Sequence, residues 1–522
     1  MKEWTVLFAC VAFAAFAQPS MVTAFAQPDT LRIPSMEAVR QQNVWLAGTN
    51  PVALSMNSFH SFSVAEVGYG HLSGAFGDPM LPASADRYGV RCESYQTLGS
   101  VSLYGRLGYA MTRERDVNWN GMTPSSEWSA ANLCDSVSGN RRAEQYELTG
   151  AFSLPLGRQW VVGAQFDYDV QQTAKDTDPR NRNDWMEWIL TPGIAYERGA
   201  MRLGASLLYV RSAEGVDYRN VGSHVTYPVF ISYPAGFFAT LPGGEPIEWR
   251  YTRSEVGGAL QMGIVRRDVQ FFHQLGGGII REDVERNRVE NRCESETEAW
   301  RLMYTARLQR LAPHARHEWA VGADYKQANN YDPLQRQQAG SPWQTYGRVL
   351  RSTWHEGIYK LAYSYHRLRD AWHPRFSVLC GVTFRQTESA LLFYPVEYIQ
   401  PLHRLTADVR LKRNVLLPCA HLDVSVGACY GTGGGSILNE KRQDGQEQPD
   451  IRLWMDEELR QRVYRYEVAS RWKIDASLTY TREPKRSLVR WFVRLSGQYE
   501  QGVKSLIQTE GSEISTQVGI LF

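Results

Sequence analysis

From about Phe62 to its last residue the chain alternates apolar and polar side chains with a period of two. Beyond the N-terminal region no stretch approaches the roughly 18 consecutive apolar residues that a spanning helix needs. Trp160, Val162, Ala164, Phe166, Tyr168 and Val170 share one face, while Gly163, Gln165, Asp167 and Asp169 share the other. The same pattern sets Tyr146, Leu148, Phe152 and Leu154 against Glu147 and Thr149. It also sets Tyr466, Val468, Trp472, Ile474 and Leu478 against Glu467, Arg471, Lys473 and Asp475. Alternation of this kind is a strand signal. Aspartates in the middle of such a strand must face water or partners. If lipid lies outside, the charged face is the interior of a closed barrel, the one strand architecture that leaves no backbone group unpaired in a bilayer.

Segment and connection lengths separate this reading from a soluble β-sandwich. The runs are about 9 to 12 residues, the length a tilted strand needs to cross a bilayer. Connections alternate: Leu154 to Trp160 is tight and Gln172 to Glu187 long; Glu197 to Gly199 is tight and Ser212 to Glu248 long; Arg266 to Asp268 is tight and Glu282 to Ser295 long. Short periplasmic turns opposite long extracellular loops are the outer-membrane pattern. Clear segments begin near Phe62, Tyr88, Val101, Tyr146, Trp160, Trp188, Met201, Trp249, Val269, Glu296, Glu318, Tyr346, Ile358, Phe376, Leu405, Ala420, Val463, Leu488 and Glu513. Both termini in the periplasm demand an even number, so a further strand is expected around Ala390 to Ile399, weakened by Pro395. The expected fold is all-β: a single-chain transmembrane antiparallel β-barrel of about 20 strands, between about 18 and 22, after a cleaved signal peptide.

The first residues carry the secretory cues: Lys2, an apolar stretch from Val6 to Ala17, and Ala24-Phe25-Ala26 before Gln27. The expected divisions are a signal peptide over 1–26, a periplasmic or lumen-entering segment over 27–58, and the barrel over 59–522. The expected location is the cell outer membrane of a Gram-negative bacterium. The 57 basic and 55 acidic residues nearly cancel, so nucleic acid is not expected as a partner. With 27 Tyr and 16 Trp, the chain is rich in the rings that sit at lipid headgroups. Trp160, Trp188, Trp249, Trp300, Trp319 and Trp354 fall near strand ends and form the expected girdle.

Motifs for chemistry are sparse. The cysteines show no C-x-x-C spacing, and Cys419 and Cys429 are roughly 33 Å apart on one extended strand, too far to bridge. Cys134 and Cys293 fall in expected loops where an oxidising envelope permits a bond. His314 and His317 lack the carboxylates of a metal site, and His60-Ser61 lacks the acid of a nucleophilic one. Gly431 to Ser436 lacks the Lys of a phosphate loop and reads as an extracellular loop. No cofactor, metal or catalytic residue is expected, and a barrel-borne hydrolase is a distant alternative.

Candidate lumen charges are Arg106, Asp167, Asp169, Arg202, Glu467, Arg471, Lys473, Asp475, Arg490 and Arg494; their mixed signs suit a paired ladder better than a selectivity ring. Tyr227, Phe230, Ile231, Tyr233, Phe237, Phe238 and Leu241 concentrate aromatics in an extracellular stretch and form the candidate contact loop, either packed on the barrel mouth or open to a partner. Val518, Ile520 and Phe522 end the last strand on one apolar face and resemble the C-terminal targeting strand of outer-membrane barrels, which implies a role as insertion signal for the barrel insertion machinery. Outer-membrane lipid is the other expected partner.

The exported start, Asn50-Pro51 followed by Phe59 to Gly70, the strand-rich body and terminal Phe522 resemble the outer-membrane β-barrel proteins of unknown function found in Bacteroidota. The Asn-Pro segment is also similar to the start of hydrophobic-substrate channels of the fatty-acid transporter type. The expected function is a channel or uptake pore of unknown substrate, with a non-conducting binding or scaffold barrel working with an envelope partner as the alternative.

Overall fold

The computed structural model describes residues 43–56, 61–74, 78, 80–123, 128–129, 131–222, 225–241, 246–266, 268–286, 292–338, 342–369, 374–393, 396–442, 453–482, 489–503 and 510–522. The expected signal peptide (1–26), His60, Pro395 and Leu488 lie outside these residues. The strands are β1 (Phe62–Ser73), β2 (Ser84–Leu98), β3 (Val101–Val117), β4 (Asn132–Cys134), β5 (Gly139–Leu156), β6 (Trp160–Lys175), β7 (Arg180–Arg198) and β8 (Met201–Arg219). Next come β9 (Val229–Tyr233), β10 (Phe237–Leu241), β11 (Ile247–Val265), β12 (Val269–Arg286), β13 (Arg292–Ala312), β14 (Ala315–Arg336), β15 (Gln344–Leu368) and β16 (Pro374–Phe393). The last are β17 (Val396–Leu417), β18 (Ala420–Gly435), β19 (Asn439–Arg442), β20 (Leu453–Met455), β21 (Arg471–Arg482), β22 (Arg490–Gly502) and β23 (Glu510–Leu521); among the described residues one α-helix, α1 (Glu457–Val468), precedes β21.

Eighteen of these strands pair antiparallel with their chain neighbours and close into a barrel through β1 and β23. Ser63 and Phe522 finish the seam by exchanging two backbone bonds of 2.8 and 3.0 Å. The short strand β19 pairs with the start of β17, and β4, β9, β10 and β20 form a separate four-stranded sheet.

The outer surface carries the apolar face of the alternation. Leu148, Phe166, Leu207, Leu260, Leu302 and Leu361 are among its exposed side chains. Two rows of aromatic contacts bound it. Trp160–Tyr196, Trp319–Tyr363 and Tyr480–Trp491 lie toward the short turns; Tyr69–Tyr88, Tyr109–Tyr146, Trp188–Tyr209 and Trp300–Tyr325 lie toward the long connections. On β6 the rows are marked by Trp160 and Tyr168, eight residues apart, roughly 20 Å along a tilted barrel axis and close to the lipid-facing band of such proteins. Trp249 and Trp354, expected in the girdle, instead pack inward: Trp249 is 2% exposed in the core beneath the mouth, and Trp354 lies against Ala299 and Ala328.

The strand count is 18, at the lower edge of the expected range. The segments beginning at Tyr346 and Ile358 are one strand, β15, of 25 residues. The strand expected around Ala390 to Ile399 is the paired tops of β16 and β17, where Phe393 stands opposite Val396. Strands overshoot the bilayer on the long-connection side, so stretches expected as loops are largely strand, Gln172 to Glu187 among them. The alternation from Val463 to Val468 is also misleading. Those residues are helical: Asp456 caps Leu459 N, and Glu457 and Glu458 sit in the first turn where the helix dipole favours acid. The glycine run at 431–435, expected as a loop, continues β18 because α1 lies on it: a Cβ at Gly433 would meet Val468 Cα at 2.8 Å.

Candidate functional site

Two inserts partly fill the lumen, one at each end. At the short-turn end residues 43–56 enter the barrel as two 3-10 turns, Val44–Ala47 and Pro51–Leu54, each started by an asparagine whose side chain caps it. Asn50 is 3% exposed. Its Nδ2 donates to the carbonyls of Ile194 (3.2 Å) and Ala205 (3.1 Å) and to Gln261 Oε1 (3.1 Å). Thr49 N donates to Gln274 Oε1 at 2.9 Å, and the hydroxyls of Ser55 and Ser153 lie 2.8 Å apart. Trp45 is fully buried edge-on to Phe272. The segment fits because the wall lacks side chains beneath it: a Cβ at Gly193 would lie 2.0 Å from Asn50 Oδ1, and one at Gly263 2.6 Å from Trp45 Nε1.

At the long-connection end the small sheet and α1 form a cap. Leu133, Val229, Ile231 and Leu241 join wall residues Val216, Tyr218, Trp249, Tyr251 and Val284 in one core. Polar pins fix it: Lys175 Nζ pairs with Asp135 Oδ1 at 2.6 Å, with side chains 2% and 5% exposed. Thr123 N and Asn183 Nδ2 each donate to Glu214 Oε1 at 2.7 Å, and Ser129 Oγ donates to Glu282 at 2.6 Å. Burial pushes the Asp135 carboxyl up, opposed by Lys175, and burial also pushes the Cys134 thiol up.

The candidate contact loop lies in this cap. Phe230, Ile231, Phe237, Phe238 and Leu241 are buried, with Phe238 against Trp119 and Phe237 against Tyr398; Tyr233 is half-buried, and Tyr227 N donates to Asn220. Cys134 is buried beside Phe230 and Cys293 is on β13; both are unbridged. His317 bonds the Tyr363 hydroxyl in the lower aromatic row.

Beside these inserts, β1, β2, β3, β5 and β23 enclose a lumen chamber of about 640 Å³. Glu66, Arg87, Arg91, Gln145, Glu147 and Gln517 line it, with glycines at 68, 70, 89 and 108 leaving the wall bare. Arg91 pairs with Glu93 at 2.6 Å and reaches Glu66 at 3.8 Å. The candidate lumen charges stand on the face opposite the exposed apolar belt, apart from Glu467, which is on α1 and offers its carbonyl to Arg404. Arg106 lies 3.9 Å from Glu147, Arg202 3.1 Å from Glu197, Arg410 2.9 Å from Asp475, and Arg471 3.3 Å from Glu500, which is opposite Lys473. Asp167 accepts from Thr149 and Asp169 from Gln145. Arg494 bonds Thr479 and Gln517, and Arg490 begins the same strand. Arg301 with Asp324 and Arg385 with Glu356 extend this mixed-sign ladder and were not picked out from sequence. Alternation around them could have found them. Asn43 and Asn50, ahead of two short apolar runs, were the available signal for the floor.

A closed antiparallel wall with a lipid-facing belt, two aromatic rows and a charged interior defines an outer-membrane β-barrel. Within that class the chain belongs to a family of unknown function, DUF6850, matched over residues 51–522. No functionally curated protein matches it. Among solved structures it is similar to the ferric preacinetobactin receptor BauA of Acinetobacter baumannii, with TM-score 0.40 and 8% identity over 89% of this chain and 80% of that one. The RagAB peptide importer in its closed-closed state gives TM-score 0.40 and 7% identity over 89% and 87%. The ferric citrate transporter FecA gives 0.39 and 7% over 89% and 79%.

Proposed function

We propose that the barrel is an uptake channel for small polar solutes, held shut by its own N-terminal segment. The observation that carries this reading is the pairing of a polar chamber with a floor that belongs to no wall strand. Residues 43–56 can leave without breaking a single wall pairing, whereas removing any wall strand opens the barrel. A Bacteroidota source, implied by the resemblance, goes with this reading. The alternative, a non-conducting binding barrel, draws on the charge ladder and the cap, which brace the lumen from inside.

Liposome swelling separates the two. Protein lacking residues 27–56 should admit small sugars that the intact protein excludes. Equal exclusion by a correctly folded deletion variant would favour the non-conducting barrel.

A further inference from the structure

The outer face carries a polar constellation where the lipid-facing surface ends. Tyr69 of β1 is exposed in the upper aromatic row, and His71, two residues on, shares its face. The register sets His71 opposite Asp86 of β2, and the imidazole Nδ1 lies 2.8 Å from Asp86 Oδ1. The Tyr69 hydroxyl donates to the same oxygen at 2.8 Å. The carboxylate is thus held from two sides. A carboxylate on Nδ1 keeps the proton there and leaves Nε2 as the basic nitrogen.

Ser73 follows two residues further, on the same outer face and about 7 Å along the strand. It is exposed and stands opposite Ser84 on β2 and Ser512 on β23, so three small hydroxyl residues form the row above the imidazole. An imidazole and a serine on successive outward positions can bring Nε2 and Oγ into hydrogen-bond reach. Arg115, largely exposed, reaches Asp86 Oδ2 at 3.8 Å and adds a cation beside the cluster. Other outward charge pairs among the described residues, such as Arg348 with Glu298, join arginine to a carboxylate and hold no imidazole. The outward His317 and His355 face tyrosine hydroxyls, not carboxylates. The depth, just beyond the aromatic row, is that of lipid headgroups and their ester bonds.

We propose that Ser73, His71 and Asp86 hydrolyse an acyl ester of an outer-leaflet lipid. Ser73 Oγ attacks the ester carbonyl carbon while His71 Nε2 takes the hydroxyl proton. The tetrahedral adduct collapses, the carbon–oxygen bond to the alcohol breaks, and the alcohol leaves with the proton from His71. Water then adds its hydroxyl to the acyl carbon and its proton to His71; the fatty acid departs, and Ser73 recovers its proton. Asp86 is a positioning residue that fixes the ring and its tautomer.

The test uses the full protein in mixed micelles, with phospholipid in one arm and lipopolysaccharide in the other. Fatty-acid release is read alongside covalent labelling by a fluorophosphonate, with the adduct located by mass spectrometry. Release in either arm with the adduct on Ser73 supports the site, and the arm identifies the lipid. Ser73→Ala and His71→Asn should each lower release by about 10³-fold or more. Asp86→Asn should lower kcat with KM unchanged, and Ser84→Ala and Ser512→Ala should leave the rate intact. Absence of both release and adduct in the wild-type protein overturns the proposal, as does release that survives Ser73→Ala.

Discussion

Asn50→Ala isolates the attachment of the floor from the wall. Asn50 Nδ2 carries two hydrogens for three acceptors, so it satisfies two at a time, and Oδ1 accepts a further bond from Val52 N at 3.2 Å. The bond from Val52 lies within the segment, so only the two bonds to the wall count toward seating; at a net of about 1 kcal/mol each, the substitution weakens it by about 2 kcal/mol. Since 1.4 kcal/mol is tenfold in an equilibrium, the unseated population should rise roughly 30-fold. Strand pairing is untouched, so the melting temperature of the wall should hold. In planar bilayers the open probability should rise with the unseated population. Gly193→Val reaches the same state from the other side, because its first side-chain atom falls on Asn50 Oδ1. The reasoning is refuted if either variant exposes residues 43–56 to protease while conductance stays at the wild-type level.

Four further outcomes are expected. Lys175→Met strands a buried carboxylate at Asp135 and should destabilise the cap by about 3 kcal/mol or more, seen as faster hydrogen exchange over β4; adding Asp135→Leu should restore part of the loss. Asp178 is held below the usual aspartate range, chiefly by the backbone N–H of Gly222, with Val221 N and Arg180 adding to it. Its contribution is present above the unfolded aspartate range and lost as the pH falls through the lowered folded value, so acid, or Asp178→Asn at neutral pH, should raise cleavage near 220–222 in limited proteolysis. Cys134, buried and with its thiol pushed up by burial, should resist maleimide at mildly alkaline pH in the folded protein while exposed Cys419 reacts. Deleting Phe522 removes both closing bonds to Ser63 and should lower the yield of heat-modifiable barrel on gels without reducing export.

The wall was legible because lipid outside and polar contacts inside impose one period on every strand. Its count was harder to read because strands continue above the bilayer, where neither face meets lipid. In β15 two register shifts against β14 near Asn330 and Leu334 also reverse which side chains face out, so one strand looks like two. Helix α1 was missed because Tyr466 and Val468 alternate with Glu467 and run on into the true alternation of β21, although Asp456, Glu457 and Glu458 carried a helix-start signal. The floor was harder still. Its partners Gln261 and Gln274 are 211 and 225 positions from Asn50 and Thr49, and a glycine's role as a seat is defined by what rests on it. The His71–Asp86 pair of the outer face was visible only once register placed the two side by side.

The seat under residues 43–56 is built by strands from β2 to β13, with none of its described hydrogen bonds reaching β14 through β23. The molecule can therefore assemble around its own leading segment, using it as a mandrel before the circumference exists. The later strands then need only complete the circle. A cysteine pair joining position 50 to position 261 should accordingly cross-link earlier in a refolding time course than one joining β1 to β23. The reverse order would mean that the segment threads into a finished ring.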